Sequence, residues 1–285
     1  LVGSALSERL LAAGTRVCGY DVNGARREEL AQRGGQSAEN ARDAVVAADV
    51  CLLSLPTSQI VEHVVEELAD ALTGKTVFDT TTGDPDATQL LSQRLAERGV
   101  TYLDATIVGS SKHVQAGDVL LLVGGDEQAF RTWQPLLACF ARQVFYLGTA
   151  GSGSRMKLVV NLVLGLNRVV LAEGLAFAQG CGVDESSALD VLRAGLAYSR
   201  VMDAKGEKML NRRFQEVEAR LSQHHKDVRL ILATAERVGL ELPLSRLHDQ
   251  LLTTAEEAGW GAADNSAIRA VYDQPAGNKP RKSPD

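Results

Sequence analysis

Val50-Cys51-Leu52-Leu53-Ser54-Leu55-Pro56 decides the fold. The run is apolar apart from Ser54, has the length of a buried strand, and is stopped by a proline. Working outward from it, similar runs recur with helical segments between them. Upstream, Arg16-Val17-Cys18-Gly19-Tyr20 is a short apolar strand ending at Asp21, and residues 28–33 have helical spacing. Leu6, Leu10 and Leu11 place a helix at the start of the chain, ended by Gly14. Downstream, residues 60–72 are helical, Thr76-Val77-Phe78-Asp79 is a strand, 87–98 a helix, and Thr101-Tyr102-Leu103-Asp104 a strand. Residues 119–123 and 143–147 add two more strands. Between them 127–140 is helical, with Pro135 a point where the helix can break.

Strands alternating with helices predict a mainly parallel, doubly wound α/β sheet of the Rossmann type. After Leu147 the alternation stops. From Gly153 to about Ala178 only Gly165 and Gly174 interrupt a helical pattern, and the chain stays helical to Tyr272. The expected organisation is an α/β domain over residues 1–150, an all-α domain over 151–272, and a polar, disordered tail over 273–285. A helix–strand start leaves such a sheet without its first strand. A strand and turn of about ten residues are therefore expected ahead of Leu1.

Composition narrows the class. The chain has 285 residues, a formal net charge of −6, 45% hydrophobic and 23% charged residues. Basic residues form no broad field, so nucleic acid is not an expected partner. The one basic cluster, Lys279-Pro280-Arg281-Lys282, sits in the tail. Cys18, Cys51, Cys139 and Cys181 are scattered, with no Cys-x-x-Cys, and Cys18 and Cys51 sit inside apolar runs as expected of buried thiols, which fits a reducing compartment, the cytoplasm. No run of about 18 uncharged apolar residues is expected to cross a membrane. The nearest, residues 158–166, is short, contains Asn161, and lies between Lys157 and Arg168. His224 and His225 are adjacent, so on a helix they point about 100° apart and make a poor metal pair; no metal site is expected.

A dinucleotide signal is present in part. Of the G-x-G-x-x-G fingerprint only the last glycine, Gly3, is in the chain, opening the first helix where glycine permits close packing on a sheet. Asp21 follows 18 residues later, at the end of a strand. Its carboxylate there can accept hydrogen bonds from ribose hydroxyls and would repel a ribose phosphate, favouring NAD over NADP. A helix-start glycine and a turn aspartate fit the same positions. Leu55, Pro56 and Thr57, and then Thr80, Thr81 and Thr82, follow the carboxyl ends of two strands, where ligands of open α/β sheets lie. Their hydroxyls can meet ribose or phosphate, or cap the loops.

The most informative segment is Gly151-Ser152-Gly153-Ser154-Arg155-Met156-Lys157-Leu158-Val159-Val160-Asn161. Its glycines let a backbone pass close to a ligand. The helix that follows carries Lys157 and Asn161 four residues apart, on one face. A lysine beside an apolar stripe either snorkels to solvent or does chemistry.

Gly151-x-Gly153-x-x-x-Lys157-x-x-x-Asn161 resembles the catalytic segment of the β-hydroxyacid dehydrogenases, the 3-hydroxyisobutyrate dehydrogenase and 6-phosphogluconate dehydrogenase-like family. Asp104-Ala105-Thr106-Ile107-Val108-Gly109-Ser110 resembles the family's substrate loop, D-A-P-V-S-G-G. Gly117-Asp118 and Val123-Gly124-Gly125-Asp126 continue that block, Lys226-Asp227 resembles its late K-D pair, and Gly259-x-Gly261-x-x-Asp264-x-Ser266-Ala267 its C-terminal motif. The similarity runs along nearly the whole chain.

The resemblance implies an NAD-dependent oxidoreductase that moves hydride between a small hydroxy acid, 3-hydroxyisobutyrate-like, and the nicotinamide. The same chemistry run backwards is a semialdehyde reductase, of the tartronate semialdehyde kind. A relative that binds without catalysis is expected to lose the lysine. Lys157 would take the proton from the substrate hydroxyl. A free lysine, with pKa about 10.4, is a poor base at neutral pH, and burial beside a cationic nicotinamide would lower it. Asn161 would orient the substrate or Lys157. Backbone N–H groups of Gly109, Ser110 and Ser111 would hold the substrate carboxylate, and Lys226 would sit over the cofactor or active site. Asp264 and Ser266 read as helix caps. The loop departs from the pattern at Thr106, Val108 and Ser110. Val108 lacks a hydroxyl that Ser110 or Ser111 could replace, and His224 and His225 stand where the family has apolar residues. Pairing through the helical half, as a homodimer or homotetramer, is also implied.

Overall fold

The computed structural model describes residues 2–273, in two compact units, one up to Val159 and one from Val160. The tail from residue 274 and its basic cluster lie outside the described residues.

In the first unit the strands are β1 (Cys18–Gly19), β2 (Gln36–Ser37), β3 (Val50–Leu53), β4 (Thr76–Asp79), β5 (Thr101–Val108), β6 (Leu120–Gly124) and β7 (Gln143–Tyr146). They form two sheets, a β1-β2 pair and a five-stranded sheet in the order β3-β4-β5-β6-β7. Every pairing is parallel except β5 with β6. Around them run α1 (Val2–Ala12), α2 (Gly24–Gln32), α3 (Ala41–Val46), α4 (Ser58–Glu67), α5 (Ala69–Leu72), α6 (Pro85–Glu97), α7 (Ser111–Ala116) and α8 (Glu127–Leu137).

Alternation along the strands feeds two separate cores. Phe78 of β4 and Leu103 of β5 join Leu6 and Leu10 of α1 and Phe130 of α8. Their neighbours Val77 and Tyr102 point the other way, to Val61 and Val65 of α4 and Leu91 and Leu95 of α6. Successive side chains leave a strand on opposite faces, so helices cover both faces of this sheet, the doubly wound arrangement expected. Val65, Val77, Phe78 and Leu103 are fully buried, and each such side chain contributes about 1.5–3 kcal/mol.

Several boundaries differ from the sequence reading, for local reasons. The α2 helix begins at Gly24 rather than 28, because Asn23 caps it by accepting the Ala25 N–H. The short helices α3 and α7 and strand β2 were not expected from the sequence. Strand β1 shrinks to two residues, paired with the two-residue β2. Strand β5 runs on past Asp104 to Val108, because Ala105 to Val108 pair antiparallel with β6. Pro135 sits inside α8 without ending it.

The second unit is helical. It holds most of α9 (Ser152–Gly180), then α10 (Glu185–Ala194), α11 (Arg200–Leu210), α12 (Leu221–Arg237), α13 (Pro243–Glu257) and a 3₁₀ segment, Asn265–Tyr272. Its core gathers Leu171, Ala172 and Leu175 of α9 with Leu189, Met209, Val228, Leu252 and Ile268. The α9 helix corrects one expectation: with 29 residues it is long and apolar enough to cross a membrane by length and composition. Part of that apolar surface packs into this core, while Val163, Val170 and Phe177 stand exposed. Asp264 caps the 3₁₀ segment, as expected, by accepting the Ser266 N–H, and also pairs with Lys205 at 2.9 Å. Burial works against its charge, but the Glu218 N–H and the Lys205 ammonium prevail and hold the carboxyl well below the usual carboxylate range. Arg269, fully buried, pairs with Asp273 at 2.7 Å and Glu185 at 3.4 Å.

Candidate active site

The parallel strands β3, β4 and β5 bring their carboxyl ends to one edge of the sheet, and two loops there are tied together. Thr80 donates through both its N–H (2.8 Å) and its hydroxyl (2.7 Å) to the Leu53 carbonyl. The Leu55 N–H donates to Thr81 Oγ1 at 3.1 Å. Below them Asp79 accepts the Thr81 N–H at 2.9 Å and the Tyr102 hydroxyl at 2.6 Å. Burial pushes the Asp79 carboxyl up to about 6 against these bonds, and lifts the Tyr102 hydroxyl as well. Of the two roles open to Thr80 and Thr81, ligand contact or loop capping, these bonds are of the second kind. Thr82 and Leu55 stay half-buried at the loop tips and Pro56 is exposed.

Asp21 is exposed just past β1, with Oδ1 accepting the Asn23 N–H at 2.8 Å. One carboxylate oxygen thus does the work of a turn residue. Gly3 lies in the first turn of α1 beside Ser54. A Cβ there would stand 3.6 Å from that of Ser54, an ordinary contact, so packing does not itself demand glycine, contrary to the reading of the fingerprint. The edge offers first-turn N–H groups of α1, an exposed carboxylate at the end of β1 and two braced loops, a donor and acceptor set that fits a dinucleotide.

The entry to α9 is held from the sheet. Asp104, in β5 and 1% exposed, accepts the Gly151 N–H at 2.7 Å and the Ser154 N–H at 2.6 Å. These are first-turn donors that the helix itself cannot satisfy. Burial pushes the Asp104 carboxyl up, and the Gly151 and Ser154 N–H groups hold it back. The two glycines are explained by protein rather than ligand. A Cβ on Gly153 would stand 2.4 Å from the Leu122 carbonyl and 2.7 Å from Asp104, and one on Gly151 2.6 Å from the Pro85 carbonyl. The expected close approach is real, but the chain approaches its own β6 and α6. Lys157 follows on the second turn of α9, 8% exposed.

The loop after β5 is shaped by Gly109, whose φ of +148° suits glycine and whose Cβ would stand 2.7 Å from Val119. Val108 and Ser110 are half-buried. The Ser110 N–H donates to His113 Nδ1 at 3.2 Å, and its hydroxyl lies 2.7 Å from the same atom. Of the three N–H groups expected to face a substrate carboxylate, that of Ser110 is engaged inside the loop. Ser111 opens α7. His113 carried no signal in the sequence reading beyond following a serine pair by two residues.

In the second unit Asn161 of α9 is buried and donates through Nδ2 to Asp227 Oδ2 at 3.0 Å. Lys226 is half-exposed, with Nζ 3.7 Å from Asp227 Oδ1. Gly165, one turn along α9, leaves room for the rings of His224 and His248, whose centroids are 5.1 Å apart. Arg168 follows, buried, 3.5 Å from His224 Nδ1. Burial, helped by Arg168 and His225, pushes the His248 imidazole down to about 4. His225 turns away, as its helical position requires, and lies 2.9 Å from both Asp249 and Glu256. His248, Arg168 and the carboxylates around His225 were not anticipated; they come together only when α9, α12 and α13 pack.

A doubly wound sheet with this donor and acceptor set at its edge, followed by a helical second half, fits a dinucleotide-binding protein, and comparison with known proteins agrees. Residues 1–148 match the family of the NAD binding domain of 6-phosphogluconate dehydrogenase, and residues 151–272 that of the NAD-binding domain of NADP-dependent 3-hydroxyisobutyrate dehydrogenase. The chain belongs to the β-hydroxyacid dehydrogenase family. It is 29% identical to 2-(hydroxymethyl)glutarate dehydrogenase of Eubacterium barkeri, over 97% of this chain and 93% of that protein. It is 29% identical to 2-hydroxy-3-oxopropionate reductase of Escherichia coli K12, over 88% and 87%. Among solved structures, 3-hydroxyisobutyrate dehydrogenase of Mycobacterium tuberculosis with L-serine superposes with a TM-score of 0.87 at 24% identity, covering 94% of each chain. The chain is an oxidoreductase of the hydroxy acid and semialdehyde class using a nicotinamide cofactor.

Proposed function

We propose that this chain oxidises a small hydroxy acid, 3-hydroxyisobutyrate-like, with NAD, and that Lys157 is its proton-transfer residue. The observation that carries the reading is a buried lysine one turn beyond a helix start clamped to the sheet by Asp104. Bound NAD supplies a two-electron acceptor. Lys157 takes the hydroxyl proton as the carbon gives up its hydride, and returns it to the carbonyl oxygen in the reverse direction. Asn161 orients the substrate or Lys157. Gly109 and Ser111 offer backbone N–H groups to the carboxylate, and the Ser111 hydroxyl, rather than that of Ser110 held 2.7 Å from His113 Nδ1, stands in for the one that Val108 lacks. Gly3, Leu55, Pro56 and Thr82 line the cofactor, and the family resemblance assigns Lys226 to the cofactor or the active site. NAD is preferred to NADP because the exposed Asp21 carboxylate favours ribose hydroxyls and repels a phosphate.

A semialdehyde reductase is the same machinery run backwards. A non-catalytic relative is disfavoured because Lys157 and Asn161 are both kept. The reading includes a homodimer or homotetramer, supported by Val163, Val170 and Phe177 standing exposed along α9, and a reducing compartment, the cytoplasm, supported by four free thiols. The test is cofactor reduction against a panel of small 2- and 3-hydroxy acids, with NAD and NADP in parallel. Turnover with NAD and one acid supports the reading. NAD binding with no turnover on any acid or semialdehyde overturns it in favour of a binding protein.

A further inference from the structure

We propose that Asp227 is a positioning residue for the reaction: its carboxylate fixes which end of the Asn161 amide faces the substrate. The inference rests on the role of Asn161 proposed above.

An amide offers a donor at one end and an acceptor at the other, and rotation by half a turn exchanges them. Asn161 Nδ2 donates to Asp227 Oδ2 at 3.0 Å, and both residues are buried, each 8% exposed. An ionised carboxylate only accepts, so it tolerates one of the two orientations and sets an oxygen against an oxygen in the other. Cations compensate its charge. Lys226 Nζ lies 3.7 Å from Oδ1, and the buried Arg168 guanidinium is within electrostatic reach of Asp227. With Nδ2 committed to Asp227, Asn161 presents its carbonyl oxygen as an acceptor, suited to the Lys157 ammonium one turn earlier on the same helix or to a substrate donor other than the hydroxyl that gives Lys157 its proton.

Packing alone does not call for this residue. Burying a carboxylate is costly even when it is paired, and a neutral acceptor would take the same N–H bond. What the carboxylate adds is refusal of the flipped amide. Asp227→Asn keeps shape and volume but offers both donor and acceptor, so both orientations of Asn161 become available. Asp227→Glu alters the packing but remains acceptor-only.

The experiment measures kcat per NAD-binding site for Asp227→Asn, Asp227→Glu, Asn161→Ala and the Asp227→Asn/Asn161→Ala double variant, with NAD affinity and thermal unfolding recorded for each. Asp227→Asn is expected to lower kcat by about tenfold or more, with NAD affinity unchanged. Asp227→Glu, the worse steric match, retains the higher kcat. In the Asn161→Ala background Asp227→Asn has no further effect, because Asp227 acts only through that amide. The proposal is overturned if Asp227→Asn is as active as Asp227→Glu or more so, or if it lowers kcat by the same factor in both backgrounds. Wild-type turnover by Asn161→Ala would remove Asn161 from the mechanism and this proposal with it. A disabled Asn161→Ala beside a silent Asp227→Asn would remove this proposal alone.

Discussion

Asp104→Asn probes the link between the sheet and the helix that carries Lys157. The wild-type carboxylate accepts two N–H bonds, from Gly151 at 2.7 Å and Ser154 at 2.6 Å, at a residue 1% exposed. The isosteric amide has one oxygen, so one bond survives while the other N–H faces an NH₂ group. A hydrogen bond to a charged group contributes about 1.5–3 kcal/mol. Relief from burying a charge, the same burial that pushes the carboxyl up, offsets part of the loss. The net is about 2 kcal/mol, or about 4–8 °C in Tm for a unit of this size. Because the lost bond lies at the first turn of α9, the register of Lys157 loosens, and kcat falls by about tenfold or more. Thermal unfolding and kcat at saturating substrate measure the two effects. An Asp104→Asn protein within about 0.5 kcal/mol of wild type and equally active would refute the idea that this carboxylate sets the helix.

Other perturbations follow from single contacts. The Asp79 carboxyl is pushed up to about 6 from an ordinary 3.8. Between those pH values the folded chain keeps a proton that the unfolded chain has lost, so stability falls as pH rises from about 4 to 6, by about 3 kcal/mol in all. Asp79→Asn should flatten that slope in pH-dependent denaturation, and a slope left intact would assign it elsewhere. Gly165→Ala puts a methyl 2.6 Å from both His224 Nε2 and His248 Cε1. It should cost about 1–3 kcal/mol by overpacking, whereas unchanged unfolding would mean that the two rings move aside freely. Asp21→Asn should move the ratio of kcat/KM for NADP over NAD upward by about tenfold; an unmoved ratio would show that Asp21 reads no ribose.

Elements whose apolar pattern is local were legible in the chain. Strand β4 spans the predicted Thr76–Asp79, and α9 runs through Gly165 and Gly174 as its spacing suggests. What failed was decided by partners distant in sequence. Strand β5 continues past Asp104 because β6 is there to pair with it, and the entry glycines answer to Leu122 and Pro85 rather than to a ligand. The same holds at the site. Lys157 and Asn161 could be picked out from helical spacing, but Asp104 is 47 residues from the turn it holds and Asp227 is 66 from the amide it holds. Neither distance leaves a periodic trace. Asn23, by contrast, was a readable cap that the spacing argument passed over.

The most direct test of the central claim is turnover by Lys157→Ala, with NAD affinity measured on the same protein and the hydroxy acid that serves the wild type as substrate. The account predicts NAD bound as tightly as by wild type and kcat reduced by about 100-fold or more. Wild-type turnover by Lys157→Ala would contradict it, and would leave Lys157 as no more than a buried lysine on an apolar helix.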